Sequence, residues 1–109
     1  MQMPVTTTFT IEGSEIREYM GVGRGIIVRS PTIAQGIMGG LKNIIGGKIG
    51  AYTRMCEQAR QQAYELLVEH AQEIGANAVV GLRYDASDVV GSGTEVLCYG
   101  TAVVIEMEK

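Results

Sequence analysis

The stretch AYTRMCEQARQQAYELLVEHAQEIGANAVVGLRY, residues 51–84, changes its hydrophobic period once, at Gly75. Before the glycine, Tyr52, Met55, Cys56, Ala59, Ala63, Leu66, Leu67, His70 and Ile74 recur at helical spacing, while Arg54, Glu57, Gln58, Gln61, Gln62, Glu65, Glu69 and Glu73 mostly take the other side. That pattern predicts one apolar stripe along a helix from about Ala51 to Ile74. Ala59 and Ala63 permit close approach to a sheet, and Gly75 can supply the left-handed residue that ends the helix. After it, Ala76-Asn77 leads into Ala78 to Tyr84, where Val79, Val80 and Leu82 read as a strand.

Upstream, Val5, Thr7, Phe9 and Ile11 alternate with Thr6, Thr8 and Thr10, which predicts a first strand, and Glu12-Gly13-Ser14 predicts a tight turn. A second extended stretch runs from about Ile16 to Arg29. Ile16, Met20, Val22, Ile26 and Val28 fall on one side, with Tyr19, Gly21, Gly23, Gly25 and Ile27 on the other. Three glycines on one side of a strand imply a bulge or bend, or a second backbone packed very close. Ser30-Pro31 is a helix start, and Ile33, Ile37, Leu41, Ile44 and Ile45 keep helical spacing through a short glycine-laden helix from about Pro31 to Ile45; a flexible loop with one helical turn is the rival reading. Gly46 to Gly50 breaks it.

Downstream, Asp85 to Gly93 reads as a polar connection, and Thr94 to Met107 as the last strand. That strand carries Val96, Cys98, Ala102 and Val104 on one side and Leu97, Tyr99, Val103 and Ile105 on the other. The expectation is a single α+β domain over residues 1–109: a small antiparallel sheet in β-β-α-α-β-β order, with one long and one short helix on one face. Two helices cover one face of such a sheet. Apolar residues on both sides of the last strand therefore predict that a second copy covers the other face. Composition agrees, since 46% of the residues are hydrophobic and only 19% are charged, below the usual share of about 25%.

The net charge of -3, without a basic run, argues against nucleic acid as a partner. No long apolar segment or signal-peptide pattern is present, so the expectation is a cytoplasmic protein with no membrane partner and with reduced thiols. Cys56, His70 and Cys98 are the candidate soft-metal ligands. Cys56 and His70 stand fourteen residues apart on one predicted helix, about 21 Å, so they share no metal ion within one chain. A buried cysteine behaves as a small hydrophobe, and packing is the competing role for all three residues. Asp85 and Asp88 lack a calcium-loop pattern, and Gly46-Gly47-Lys48 lacks the hydroxyl that a phosphate loop requires, with Ile49 in its place. A thiol nucleophile would depend on His70 as its only histidine base. No catalytic motif is found.

Gly46-Gly47-Lys48-Ile49-Gly50-Ala51-Tyr52, then Ala59-Arg60 and Ala63, then Ile74-Gly75-Ala76-Asn77-Ala78-Val79-Val80-Gly81, and finally Tyr99-Gly100-Thr101-Ala102-Val103 together resemble the YbjQ-type family of small bacterial and archaeal proteins, labelled heavy-metal-binding. Tyr19, Gly21, Val22 and Gly25 also fit. The resemblance implies a small α+β subunit assembled into a ring-like homo-oligomer, a pentamer, with a soft transition metal as the cofactor expectation. It assigns no ligand set. The matching positions read physically as packing: Gly47, Gly50 and Gly75 in turns, Ala59 and Ala63 under the helix, Gly100 at a bulge or close neighbour, Tyr52 plugging a junction, and Asn77 and Thr101 within the motif. The functional expectation is a non-enzymatic oligomer that binds a heavy metal or small ligand at subunit boundaries. The alternatives are a purely structural oligomer and, last, an enzyme with an interfacial site.

Overall fold

The computed structural model describes residues 3–29, 48–89 and 93–108. Within them lie strand β1 (Ser14–Arg29), helix α1 (Lys48–Glu73), strand β2 (Ala78–Val89) and strand β3 (Gly93–Met107). The strands form one antiparallel sheet in the order β1-β3-β2. The α+β class therefore holds, but the described order is β-α-β-β. The glycine-laden helix expected over Pro31–Ile45, and Gly47, lie outside the described residues.

The strand expected over residues 5–11 is not a full strand. Val5 makes a single parallel bridge to Val79, and the segment covers the outer edge of β2 through Val79 N–H to Pro4 O (3.0 Å) and Gly81 N–H to Thr8 O (2.8 Å). The alternating threonines explain the departure. Thr8 N–H donates to Thr6 Oγ1 at 3.2 Å, and the Thr8 hydroxyl donates to Thr10 O at 2.7 Å. Such local bonds compete with a ladder and bend the chain.

The polar connection expected over Asp85–Gly93 is also corrected. Residues 85–89 continue β2, pairing Asp85 with Leu97 and Val89 with Gly93. A polar stretch can extend a hairpin because the ladder is made by backbone groups.

β1 carries two register shifts, between Ile16 and Glu18 and between Tyr19 and Gly21. The second exchanges the expected sides of two residues. Tyr19 pairs with Val103 on the face away from the helix, while Met20 packs against the cluster beneath it.

α1 begins at Lys48, so Gly50 is helical and does not serve a turn. The helix ends as expected at Gly75, whose φ is +91°. Gly75 N–H donates to Gln72 O at 3.0 Å and Ala76 N–H to Ala71 O at 2.9 Å, the paired reverse bonds of a Schellman cap. Asn77 then acts as a backbone surrogate: its amide nitrogen donates to Ile105 O at 3.0 Å and its Oδ1 accepts Ile105 N–H at 2.7 Å. The helix end is thereby tied to β3.

Ala59, Ala63, Leu67 and Ala71, four residues apart, form the buried stripe of α1 over Cys98, Ala102 and Val79. Leu66 and Cys56, placed on the stripe by spacing, are exposed. The glycines of β1 make the close approach possible. A Cβ on Gly25 would lie 2.6 Å from the Leu67 amide nitrogen, and one on Gly23 would lie 3.1 Å from Leu67 Cδ1. Gly100 meets the neighbouring strand in the same way: a Cβ there would lie 2.7 Å from Val79 Cγ1, beside the register shift between Val80 and Arg83.

Among the described residues, the opposite face is covered at one end, where Ile11, Ile16 and Ile105 pack on Ala78, Val80 and Val103. Beyond that, Tyr19 (70% exposed), Val22 (64%), Ile26 (43%), Val28 (53%) and Tyr99 (36%) remain open. Register places all five on this face, Val22 with Thr101, Ile26 with Leu97 and Val28 with Glu95. Thr101 is half-buried between Val22 and Val80.

Candidate functional site

Where α1 runs past the β2–β3 hairpin, a cleft of about 370 Å³ opens, lined by Met55, Cys56, Ala59, Arg60, Tyr84, Asp85, Ala86, Gly93, Thr94 and Val96. Spacing on the helix sets one wall, because Cys56 and Arg60 are four residues apart and share a side. Strand alternation sets the other. Tyr84 pairs with Cys98 and Ala86 with Val96 on the helix side of the sheet, whereas Asp85 pairs with Leu97 and turns its side chain away. Asp85 Oδ1 also accepts Ala86 N–H at 2.9 Å. Arg60 thus brings the charge to this cleft. Its guanidinium lies over the Tyr84 ring, 5.7 Å from the centroid, and meets no carboxylate among the described residues.

The three candidate soft-metal ligands do not converge. Cys98 is fully buried. It touches the hydroxyl of Tyr84, and burial is the main cause raising its pKa above the ordinary thiol value. The Tyr84 phenol is likewise pushed up, to about 12, first by burial and then by Cys98. Cys56 is exposed at the cleft wall. His70 sits elsewhere, in a groove of about 280 Å³ with Arg24, Leu66, Glu69 and Glu73. There its Nδ1 accepts the Arg24 backbone N–H at 3.1 Å, which caps the outer edge of β1. The neutral tautomer that accepts this bond carries its proton on Nε2, leaving no lone pair there for a metal. Among the described residues, no group of three or more His, Cys, Asp or Glu is placed to hold a metal ion.

The two thiols should therefore differ in reactivity. With a native chain at pH 8, a disulfide reagent should titrate Cys56 quickly and Cys98 only after denaturation; two equally fast thiols would contradict the burial of Cys98. Both raised groups favour their neutral forms in the folded chain. Their contribution to stability is present below the ordinary thiol and phenol values, about 8.5 and 10. It is lost as pH rises through the folded values, which for Tyr84 extends to about 12.

The remaining predicted positions are structural. Ala59 (4% exposed) and Ala63 (0%) lie in the core, Gly75 and Asn77 close the helix, and Gly100 lets β2 approach β3. Tyr52 has a helical backbone, and its side chain falls outside the described residues. Pattern reading passed over the pairing of Arg60 with Tyr84. Its local signal is the four-residue spacing of Cys56 and Arg60; the aromatic partner arrives only through the fold.

No helix among the described residues is long and apolar enough to cross a membrane. The YbjQ family model, described as "Putative heavy-metal-binding", matches residues 3–106. A UPF0145 protein of Legionella pneumophila (strain Corby) is 58% identical over 105 residues, covering 96% of this chain and 100% of its own. A UPF0145 protein of Francisella philomiragia is 59% identical, covering 94% and 99%. A crystal structure from Pediococcus pentosaceus, of a protein of unknown function in the DUF74 family, superposes with a TM-score of 0.50 at 18% identity, over 97% of this chain and 98% of that one. This likeness concerns the fold alone.

Proposed function

The chain belongs to the YbjQ family, whose model carries the description "Putative heavy-metal-binding", and from that premise we propose that it is a non-enzymatic, self-assembling binding protein that holds a soft metal ion or small ligand where its subunits meet. The observation that carries this reading is the apolar band of Tyr19, Val22, Ile26, Val28 and Tyr99, open to water on one side of the sheet. Contiguous apolar surface of this kind marks an interaction site. A closed ring of five copies is the assembly that family resemblance favours, and it would let each copy cover the next.

The same geometry bears on the metal. Within one chain Cys98 is sealed and His70 Nδ1 is engaged, whereas Cys56 is exposed. A soft metal ion would therefore use Cys56, with further ligands from neighbouring copies. Metal analysis of the purified assembly tests this, with wild type beside Cys56→Ala, His70→Ala and Cys98→Ala. Cys56→Ala should lose bound soft metal while the other two retain it. Equal stoichiometry and affinity in all four proteins would remove these ligands from consideration. A purely structural oligomer is the second reading, favoured by the lack of any three-ligand group among the described residues; it requires a thermal midpoint indifferent to added ions.

A further inference from the structure

We infer that the cleft between α1 and the β2–β3 hairpin binds an amphipathic monocarboxylate, its apolar tail among Met55, Ala59, Ala86 and Val96 and its carboxylate on Arg60. One chain supplies every described residue of this site. The volume, about 370 Å³, lies in the range of small-molecule sites. The described lining is apolar except for a few polar groups, and Arg60 is the basic one among them. Asp85, the acidic residue at the cleft, pairs with Leu97, which turns its side chain toward the other sheet face, and its Oδ1 accepts Ala86 N–H.

Arg60 is the group that selects the ligand. Its guanidinium lies over the Tyr84 ring, 5.7 Å from the centroid, and its N–H donors meet no carboxylate among the described residues. A planar cation with free donors at the wall of an apolar cleft is complementary to a carboxylate, which it can grip with two parallel hydrogen bonds. A cationic amphiphile would meet the same guanidinium unfavourably. A neutral one would gain the apolar contacts and forgo the charge-assisted bonds. Cys56 shares this wall, so a tail seated in the cleft would also shield its thiol.

Calorimetric titration of the full-length protein with octanoate, octanol and octylamine tests the site. Octanoate should bind more tightly than octanol, and octylamine should bind least. Arg60→Gln, an exposed substitution, should weaken octanoate by about tenfold or more, the worth of a charge-assisted hydrogen bond, and leave octanol unchanged. Ala86→Leu, which narrows the cleft while keeping the charge, should weaken octanoate and octanol alike. Octanoate should also slow alkylation of Cys56 by iodoacetamide. Equal binding of octanoate and octylamine, or unchanged octanoate affinity in Arg60→Gln, would overturn the assignment. So would failure of octanoate to bind wild type at millimolar concentration, the result expected if a second copy filled the cleft.

Discussion

A Gly25→Ala chain should lose the docking of α1 on its sheet. The added Cβ would fall against helix backbone, 2.6 Å from the Leu67 amide nitrogen, and against the Ala63 carbonyl oxygen, with Leu66 Cβ at 2.9 Å. Helix backbone cannot yield as a side chain does; the whole helix must withdraw, opening the cluster of Ala63, Leu67, Ala71, Cys98 and Ala102. The expected loss exceeds about 4 kcal/mol, beyond what ordinary substitutions cost. Gly23→Ala is the matched comparison. Its nearest neighbour is the end of a flexible side chain, Leu67 Cδ1 at 3.1 Å, so the loss should stay within about 1–3 kcal/mol. Neither glycine has positive φ, so backbone strain does not cloud the comparison. Urea unfolding followed by circular dichroism measures both. Equal midpoints would mean that the helix does not pack on β1 at Gly25.

Replacing Val22 and Ile26 together by Glu should break the proposed assembly while leaving the subunit folded. Both side chains are open to water in the single chain, at 64% and 43% exposure. Surface changes of this kind usually move stability by less than about 0.5 kcal/mol each. In an interface, the same two carboxylates would be buried without partners, at a cost of several kcal/mol per charge. The expected result is an unchanged helical signal together with a fall in native mass to that of one chain. A double variant that keeps the wild-type mass would place the subunit contact on another surface.

Much of the fold was legible where one physical effect dominates. The stripe from Ala59 through Ala63 to Leu67, the stop at Gly75 and the close packing implied by Gly23 and Gly25 all follow from side-chain volume and backbone sterics. Legibility failed where weaker effects compete. Thr6, Thr8 and Thr10 alternate like a strand, but the Thr6 and Thr8 hydroxyls bond locally and bend the chain. The glycines of β1 announced a bulge or a close approach, and the bulge between Tyr19 and Gly21 is there, but they did not show that it turns Tyr19 to the open face. Asp85, Ser87 and Asp88 look like a loop because a backbone ladder is blind to their polarity. Of the candidate site, Cys56, His70 and Cys98 were found by residue type, but only the fold separates them. Arg60 and Tyr84 lie twenty-four positions apart in the chain, and no local pattern announces their contact.

Sister copies are proposed to cover the apolar band on the far side of the sheet. Native mass measurement of the wild-type protein at micromolar concentration tests this most directly. The expected mass is a closed multiple of the 11.7 kDa chain, five-fold for a ring of five. A stable species of one chain mass, folded and with that band exposed, would contradict it.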